Sequence, residues 1–411
     1  MAGHPPAHER PKRLLVLGAG PAQLGLLEAA RGRGLEVIAL DRDPAAPGFR
    51  LADKRALVSV EDEPAVERLA LAEGVDGVIA PGIDWPVGIA ARLAVRLGVA
   101  HPISPETAVL ATSKLRQRER FADAGVPQAR SRVCRDAAEA MDAVEELGFP
   151  CVVKAPDRQG QKGLALVRAP DELPAAVESA LEAARTPVCL VEEAVRGPEV
   201  TVVAFSVAGR FVPLLVTDRV VAEPPAFGVA LAHVFPCEQQ GLGAAVAAAR
   251  AAAEALGVED GPTYTQLLLS PEGPRVTELA ARLGGGHDAE LCLAAVGVDL
   301  NGLALSAALG EPVESPEPRP TVGGAVTRFL VPPEGRLEEV TGLDEARGLE
   351  GVLTVRSYRP AGHVFGPLRR GADRAGAVLA VGSSREEALE RAGRAAERIR
   401  FVTADAEALV P

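Results

Sequence analysis

The stretch VTELAARLGGG, residues 276–286, decides how this chain of 411 residues is interpreted. Its first residues are typical of a β-strand, and this strand delivers Glu278. Arg282 follows four residues later, and three glycines complete the stretch. A carboxylate at a strand end can bind a hard cation, a guanidinium can bind an anion, and glycines let the backbone approach that anion closely. The stretch therefore predicts a site for a divalent cation and an anionic group.

A second strand, near residues 263–270, precedes this one and is joined to it by a Pro-Glu-Gly turn. It carries Gln266, and facing positions in such a hairpin would bring the oxygens of Gln266 and Glu278 to one cation. Mg²⁺ prefers oxygen ligands and keeps several waters, so few protein ligands suffice. Glutamine is neutral and is the weaker ligand of the two.

Charged residues upstream follow in an order that fits a nucleotide. Lys154 ends the strand CVVK, and the glycine-containing loop Asp157–Gly163 follows it. A lysine beside such a loop can bind phosphate oxygens, which the loop amides can then cover. Glu192 and Glu193 end the next apolar strand, and backbone after such a strand can hydrogen-bond an adenine edge. Taken singly, a solvated lysine and an ordinary acidic turn are the alternative interpretations.

Composition excludes several functional classes. The formal net charge is −12 and no basic block occurs, which argues against a nucleic-acid partner. No apolar run reaches the ~20 residues that span a bilayer, and the N-terminal residues 1–11 lack the apolar core of a signal peptide. The five cysteines form no CxxC pair, so we expect buried, reduced thiols and a cytoplasmic location.

Alternating apolar runs and helical stretches predict a doubly wound parallel sheet in the first part of the chain. Residues 151–168 are expected to form a hairpin, and the alanine-rich segment 243–256 a closely packed structural helix. A Pro-rich segment, 312–320, is typical of a linker. After it we expect a smaller α+β module, with strands near 323–331, 352–358 and 376–382 and a final helix over 384–399.

These patterns suggest three parts. We expect an N-terminal Rossmann-like domain over 12–113 and a central domain over 114–312, with a lid subdomain at about 131–195. The C-terminal α+β module is expected over 321–411.

A second nucleotide motif competes with this interpretation. The segment GAGPAQ, residues 18–23, follows a strand, and Asp41 lies about twenty residues on, as in an NAD site. However, Gln23 replaces the third glycine and Pro21 removes a backbone donor. We therefore favour a tight strand-to-helix turn over NAD binding.

Some candidate substrate contacts are not fixed by any motif. His233 and His287 are candidates for the amine side of a reaction, although a lone histidine is more often structural. Asp84 and Trp85 follow the third strand, where ligands enter an open parallel sheet. For Trp85 we favour an anchor at a domain interface.

The ordered set of Lys114, Lys154, Glu192/Glu193, Gln266, Glu278 and Arg282 resembles the ATP-grasp superfamily, and the C-terminal region looks like that of L-amino acid ligases. The resemblance covers nearly the whole chain. It implies that ATP is bound by Lys114, Lys154, Glu192, Glu193, Val195, Glu199 and Leu268. It implies Mg²⁺ on Gln266 and Glu278, and catalysis by Arg282 and Lys154. Substrate contacts are then expected at Arg282, Gly284, Gly285, His287 and His233.

The function that this resemblance implies is an ADP-forming carboxylate–amine ligase. Such an enzyme activates a carboxylate, here expected to be an amino acid, as an acyl phosphate and couples it to an amine. Many members carry Glu where this chain has Gln266, and Asn where it has Ala280, so Glu278 and the phosphates chiefly balance the Mg²⁺ charge. The family also implies a homodimer. The alternatives are a bicarbonate-using carboxylase or carbamoyl-type enzyme, and a nucleotide-binding protein without catalysis.

Overall fold

The computed structural model describes residues 10–223 and 226–404. Its first part contains four strands and five α-helices: β1 (Arg13–Leu17), α1 (Leu24–Gly32), β2 (Glu36–Asp41), β3 (Lys54–Leu57), α2 (Glu63–Glu73), β4 (Gly77–Ile79), α3 (Trp85–Leu97), α4 (Pro105–Ala111) and α5 (Lys114–Asp123). The strands form a parallel sheet in the order β3-β2-β1-β4.

Both faces of this sheet are covered. Leu14 and Val16 of β1 pack into one hydrophobic cluster with α1, whereas Leu15 and Leu17 pack into another with α3. All four side chains are fully buried, which explains why the strand is apolar throughout instead of alternating. The predicted doubly wound sheet is therefore confirmed, although β3 was not foreseen.

The second part, which corresponds to the predicted lid, is built on a small antiparallel sheet. It comprises β5 (Ser131–Cys134), α6 (Ala137–Leu147), β6 (Cys151–Lys154), β7 (Leu164–Val167), α7 (Leu173–Ala183) and β8 (Cys189–Glu193). The strand order is β5-β8-β6-β7, and β6 pairs with β7 as the predicted hairpin. The lid has a hydrophobic cluster of its own, and Asp136 caps α6 by accepting a hydrogen bond from the Glu139 amide at 2.9 Å.

The third part supplies most of a large antiparallel sheet. It contains β9 (Glu199–Val207), β10 (Arg210–Val221), β11 (Ala230–Phe235), α8 (Leu242–Ala255), β12 (Gly261–Ser270), β13 (Gly273–Ala280), α9 (Asp288–Val296) and α10 (Leu300–Ala308). The alanines of α8 that face the core are buried, among them Ala245, Ala249 and Ala252. Small side chains let this helix pack closely on the sheet, as the sequence predicts.

The last part contains β14 (Gly324–Leu330), β15 (Gly335–Thr341), α11 (Leu343–Arg347), β16 (Val352–Ser357), β17 (Val364–Phe365), β18 (Gly376–Gly382), α12 (Arg385–Arg398) and β19 (Arg400–Ala404). Ser384 caps α12 by accepting from the Glu387 amide at 3.2 Å, as its Ser-Ser-Arg-Glu-Glu start predicts. Strands β14, β18 and β16 do not form a sheet of their own. They extend the large sheet, whose order is β13-β12-β9-β10-β11-β14-β18-β16.

Strands β17, β15 and β19 form a further antiparallel sheet, in that order. The domain limits expected at 113/114, 312 and 321 stay predictions, and residues 405–411 of the expected last module lie outside the described residues, as do residues 1–9. Within the described ranges, no helix combines the length and the apolar character that crossing a membrane requires. All five cysteines are free thiols, and four of them are buried.

Candidate active site

A cavity of about 730 Å³ lies between the lid sheet and strands β9, β10, β12 and β13. Its volume suits a nucleotide-sized ligand. Nine residues singled out in the sequence line this cavity together: Lys114, Lys154, Glu192, Glu193, Val195, Glu199, Gln266, Leu268 and Glu278. They come from a helix, both sheets and the segment between β8 and β9, so the fold brings distant parts of the chain to one place.

The hairpin of β12 and β13 places the predicted cation ligands opposite each other. Gln266 pairs directly with Glu278 in the strand register, at the point where the register shifts. Gln266 Nε2 lies 3.3 Å from the Tyr264 hydroxyl, to which it donates, so its carbonyl oxygen is available to a cation. Glu278 Oε2 forms an ion pair with Lys114 Nζ at 2.9 Å.

The surroundings keep both partners of this pair charged. Burial opposes the charge on Lys114, but the negative charges of Glu278 and Asp84 raise its pKa overall. Burial likewise opposes the charge on Glu278, and Lys114, Lys154 and Arg282 together lower its pKa. Glu278 is therefore an ionised carboxylate surrounded by three cationic side chains.

The donor set fits a magnesium ion that is shared with phosphates. Within the described residues, no group of three His, Cys, Asp or Glu side chains could hold a metal by itself. The paired oxygens of Gln266 and Glu278 are hard ligands, and Mg²⁺ commonly takes one or two protein groups and completes its shell with phosphates and water. A cation bound there would replace Lys114 as the counter-ion of Glu278.

A second cluster lies deeper, against the lid. Glu192 binds Arg118 Nε through Oε1 at 2.7 Å and Lys154 Nζ through Oε2 at 2.7 Å. The Arg118 and Glu192 side chains are only 5% and 6% exposed. Arg118 also donates to the Thr277 carbonyl at 2.6 Å, which ties α5 to β13. The Glu192 carboxylate is thus committed to ion pairs, and a nucleotide base would have to meet its backbone instead.

Lys154 differs from an ordinary lysine in having a lowered pKa. Burial lowers its pKa to about 8, the positive charges of Arg118 and Lys114 lower it as well, and Glu192 opposes them. A phosphate group beside Lys154 would add the negative charge that this environment lacks. The residue therefore fits the phosphate contact predicted for it.

The opposite end of the cavity has the features expected around a nucleoside. Leu268 of β12 pairs with Glu199 at the start of β9, and Arg219 of β10 forms an ion pair with Glu199. Arg219 also donates to the Gly228 carbonyl at 2.9 Å. Glu193 is bound by the side chain of Arg130 at 2.7 Å. The roles of Glu193, Val195, Glu199 and Leu268 in ATP binding stay predictions.

Arg282 lies beyond Glu278 and is held by the N-terminal part. Its Nε donates to Asp84 Oδ1 at 2.7 Å, and its Nη1 donates to the Leu283 carbonyl at 2.9 Å. The backbone amide of Asp84 in turn donates to the side chain of Gln159, a residue of the loop Asp157–Gly163. Asp84 therefore joins Arg282, the N-terminal sheet and the lid loop at one point.

The glycine turn and the two histidines lie behind Arg282, away from the lining of the cavity. A Cβ on Gly284 would overlap Asp288, and one on Gly285 would press on the Gly82 carbonyl. His287 contacts Glu290 through Nδ1 at 3.1 Å and Tyr358 through Nε2 at 2.5 Å, so both ring nitrogens are engaged. The substrate contacts predicted for Gly284, Gly285 and His287 stay predictions.

His233 is also enclosed. Its ring packs edge-on against Phe329 at 5.9 Å between centroids, and burial lowers its pKa to about 4. A neutral, packed imidazole of this kind matches the structural interpretation of a lone histidine more closely than a substrate contact, and the amine-side role stays a prediction.

The N-terminal turn at residues 18–23 uses its own polar groups. Asp41 accepts a hydrogen bond from the Ala19 amide at 3.0 Å. The Gln23 side chain covers Gly18, where a Cβ would come within 3.0 Å of it. Asp41 and the glycines thus close a tight turn, which is the interpretation favoured over NAD.

Trp85 is the residue for which an anchor at a domain interface was favoured. The guanidinium of Arg185, in the lid, lies over its ring at 3.9 Å from the ring centroid.

Three residues of this region were missed in the sequence. Arg118 lies four residues after Lys114 on the same helical face, which was an available signal. Arg219 interrupts an apolar strand, and its charge there was a second signal. Gln159 lies in the loop Asp157–Gly163 that the sequence analysis singled out, but its contact with Asp84 had no signal because the two residues are 75 positions apart in the chain.

Two family models match separate parts of the chain. The ATP-binding domain of the carbamoyl-phosphate synthase L chain matches residues 113–315. The L-amino acid ligase C-terminal domain 2 matches residues 328–404. The first match contains every residue of the cavity that was singled out in the sequence.

The relatives found by sequence comparison match different fractions of this chain. The uncharacterised protein y4rH of Sinorhizobium fredii is 28% identical over 387 residues, which is 91% of this chain and 79% of that protein. The formate-dependent phosphoribosylglycinamide formyltransferase of Mycolicibacterium smegmatis is 31% identical over 44% of this chain. This match spans less than half of the formyltransferase, namely 46% of its length.

Solved structures share the fold over almost the whole chain. The L-amino acid ligase of Bacillus licheniformis superposes with a TM-score of 0.81 at 22% identity, over 97% of this chain and all of that one. The biotin carboxylase domain of the Hydrogenobacter thermophilus 2-oxoglutarate carboxylase, solved with MgADP and bicarbonate, gives a TM-score of 0.80 at 19% identity, over 96% of this chain and 91% of that one.

The architecture expected from the sequence is therefore confirmed: a parallel N-terminal sheet, a central antiparallel ATP-grasp domain and a small C-terminal module. The chain therefore has the ATP-grasp fold, and it resembles the ATP-binding domain of the carbamoyl-phosphate synthase L chain in its central part and the L-amino acid ligase C-terminal domain 2 in its last part.

Proposed function

We propose that this protein activates the carboxylate of an amino acid as an acyl phosphate with Mg-ATP and couples it to an amine, forming an amide or peptide bond. The observation that carries the proposal is the shared cavity, in which Lys114, Lys154, Gln266 and Glu278 lie together. The match of the last part of the chain to the L-amino acid ligase C-terminal domain 2 supports an amino acid as the substrate.

The chemistry needs neutralisation of charge more than covalent help. A carboxylate oxygen attacks the γ-phosphorus of ATP, ADP leaves, and an acyl phosphate forms. The amine then attacks the acyl carbon, phosphate leaves, and the amine gives up a proton. Two anions must meet in the first step, so cationic side chains that stabilise the transferring phosphoryl group lower the barrier. When bound, Mg²⁺ would neutralise phosphate oxygens beside Glu278.

The positions of two cations support this proposal. Lys154 faces the cavity beside Lys114, and Arg282 lies just beyond Glu278, close enough to lower its pKa. Asp84 forms an ion pair with Arg282. A substrate carboxylate can take the place of Asp84 as the partner of the guanidinium, and we assign Arg282 this role.

The loop Asp157–Gly163 is the element proposed to exclude water from the acyl phosphate. Its Arg158 carbonyl accepts a hydrogen bond from Lys114 Nζ at 2.8 Å, and Gln159 binds the Asp84 amide. Both anchors belong to residues at the reaction centre. Binding of ligands at Lys114 and Asp84 can therefore change the position of the loop. Closure of the loop over the site would protect the acyl phosphate, which hydrolyses in water.

Turnover with a panel of acceptors and donors tests the function. We expect ADP formation to rise when two amino acids are supplied together with Mg-ATP. Stimulation by bicarbonate instead would favour a carboxylase or carbamoyl-type activity. No stimulation by any amino acid would favour a nucleotide-binding protein without catalysis, a reading to which the neutral Gln266 lends weight.

The Arg282→Ala variant tests the proposed mechanism. Loss of the guanidinium should lower amide formation by about a hundredfold or more, because a single preorganised charge-stabilising group commonly contributes that much. ADP should still bind within about threefold of wild type, since Arg282 lies outside the cavity lining. The exposed Arg336 provides the matched control, Arg336→Ala. Wild-type turnover in the Arg282 variant would show that the assignment is wrong.

A further inference from the structure

A second cleft lies between the lid and the C-terminal module. It has a volume of about 1180 Å³ and is bounded on one side by the loop residues Arg158–Leu164 and on the other by the segment from Arg359 to Asp373. None of the roles assigned above uses this cleft. This volume is sufficient for a small-molecule ligand.

The cleft is cationic although the protein is acidic. Five cationic side chains border it, against two carboxylates, while the whole chain carries a formal net charge of −12. The cations are Arg158, Lys162, Arg359, Arg369 and Arg370. Like charges repel, and their collection at one concave surface favours an anionic occupant. Burial, together with the positive charges of Arg158, Arg370 and Arg42, lowers the pKa of Lys162.

The acidic group nearest to the arginines is already committed to the backbone. Asp373 Oδ2 accepts hydrogen bonds from the amides of Arg369 at 3.0 Å and Arg370 at 2.8 Å. Its other oxygen lies 3.4 Å from Arg370 Nη2. Asp373 therefore fixes the turn that presents both arginines and forms an ion pair with Arg370, whereas Arg369 has no carboxylate partner among the described residues.

Arg359 has donors to spare. Its Nη2 donates to the Ala372 carbonyl at 3.2 Å, and Asp43 lies as far as 3.8 Å from Nη1. Its Nε is buried and has no hydrogen-bond partner among the described residues. The Arg359 side chain as a whole is 21% exposed, so an anion in the cleft can bind its outer Nη donors.

The cleft meets the nucleotide cavity at the lid loop. Arg158, Gln161, Lys162 and Leu164 border both spaces. Lys114, which pairs with Glu278, donates to the carbonyl of Arg158. On the other side, Gln161 Oε1 accepts a hydrogen bond from the Gly371 amide at 3.1 Å. The loop Asp157–Gly163 therefore borders both spaces, and the cavity and the cleft are adjacent across it.

We infer that the cleft binds an anionic group, a phosphate monoester or a pair of carboxylates, which one substrate of the ligase carries at a distance from its reacting atoms. The assignment of this group to a substrate rests on the proposed function. Arg359, Arg369 and Arg370 supply the guanidinium donors, whose planar fork matches phosphate and carboxylate oxygens. Lys162 supplies a further charge from the lid side.

Binding of matched amino acids by isothermal titration calorimetry, with ADP present and without turnover, tests this inference. O-phospho-L-serine is compared with L-serine, and γ-carboxy-L-glutamate with L-glutamate, so that the two arms separate phosphate from paired carboxylates. We expect at least one anionic probe to bind about tenfold or more tightly than its partner. The double variant Arg369→Gln/Arg370→Gln should lose this preference.

The control carries the same change of charge in the same module. Arg398→Gln/Arg400→Gln removes two exposed arginines that do not border the cleft, and it should keep the preference. All three proteins are compared in thermal unfolding, and because Arg369 and Arg370 are exposed, we expect their loss to leave the fold intact.

Three outcomes would overturn the inference. These are equal binding within both matched pairs, retention of the preference in the Arg369/Arg370 double variant, and inorganic phosphate binding as tightly as O-phospho-L-serine, which would indicate a free anion instead of a substrate. ADP formation with neutral amino acids is measured in parallel. If it persists while the preference is absent, the ligase proposal stands and the cleft assignment alone fails.

Discussion

Two groups of charged side chains line the same cavity and differ in their exposure to solvent. The side chains of Arg118, Glu192 and Lys154 are between 5% and 10% exposed, and one carboxylate binds both cations. The pair of Lys114 and Glu278 is more open, at 15% and 26% exposed. The closed group also anchors α5 to β13 through Arg118.

This difference in exposure distinguishes ion pairs that stabilise the fold from an ion pair whose contact can be replaced by contacts to a ligand. Removing one member of a closed, buried cluster leaves the others without a partner, which is costly to stability. A half-open pair can give up its contact when a metal ion and phosphates arrive. We therefore infer that Arg118 and Glu192 chiefly stabilise the lid and central sheet, whereas Lys114 and Glu278 serve the ligand.

The largest effect is expected on activity at the open pair. Glu278→Gln removes the single carboxylate of the predicted cation site, and we expect ADP formation to fall by about a thousandfold. The midpoint of thermal unfolding should change little, because Lys114 can reach solvent. Steady-state ADP release and differential scanning calorimetry measure the two quantities.

Gln266→Glu is the matched companion, since it adds a carboxylate at the paired position. It should lower the Mg²⁺ concentration needed for half-maximal turnover. If Glu278→Gln retained a tenth or more of the wild-type rate, Glu278 would not be the metal ligand.

The next effect is expected on stability at the closed cluster. Glu192→Gln leaves Arg118 and Lys154 buried without a counter-ion, and we expect the free energy of unfolding to fall by about 3 kcal/mol. Denaturant unfolding followed by circular dichroism measures this loss. The comparison of the two groups would fail if Glu278→Gln destabilised the protein as much as Glu192→Gln.

The smallest effect is a pH dependence at Lys154. Burial lowers its pKa to about 8, so the free protein loses this charge as the pH rises through that value. Phosphates bind the protonated form, and the bound state therefore holds the proton more tightly. We expect the dissociation constant of ADP to rise above pH 8, by at most about tenfold per pH unit for one linked proton.

Calorimetric titrations across this pH range check the linkage. Lys154→Met should bind ADP more weakly and show no step near pH 8, because it carries no proton to lose. A step of the same size in that variant would assign the titration to another group.

The local features of the site could be predicted because they depend on short stretches of chain. The β12–β13 hairpin fixes its own register, so the pairing of Gln266 with Glu278 followed from the turn between them. The strand ending at Lys154 and its return through β7 are likewise local. The order of these motifs then carried the resemblance to the ATP-grasp superfamily.

Contacts between distant segments could not be predicted in this way. Asp84 and Arg282 are 198 residues apart, and no periodicity relates them. The pairing of β11 with β14 joins strands on either side of the Pro-rich segment, which the sequence presents as a boundary. The hydrophobic pattern predicted β14 as a strand but β11 was not foreseen, and such a pattern does not specify which strand each one joins.

This pairing has a consequence for how the protein can be divided. Four residues of β11, from Ala232 to Phe235, are hydrogen-bonded in register to β14. A fragment that ended at the Pro-rich segment would turn β11 into a bare sheet margin, a template on which other copies could pair and aggregate. We therefore expect that the region matching the ATP-binding domain does not fold as an independent unit. A chimera that exchanges C-terminal modules between relatives would have to preserve the pairing of β11 with β14.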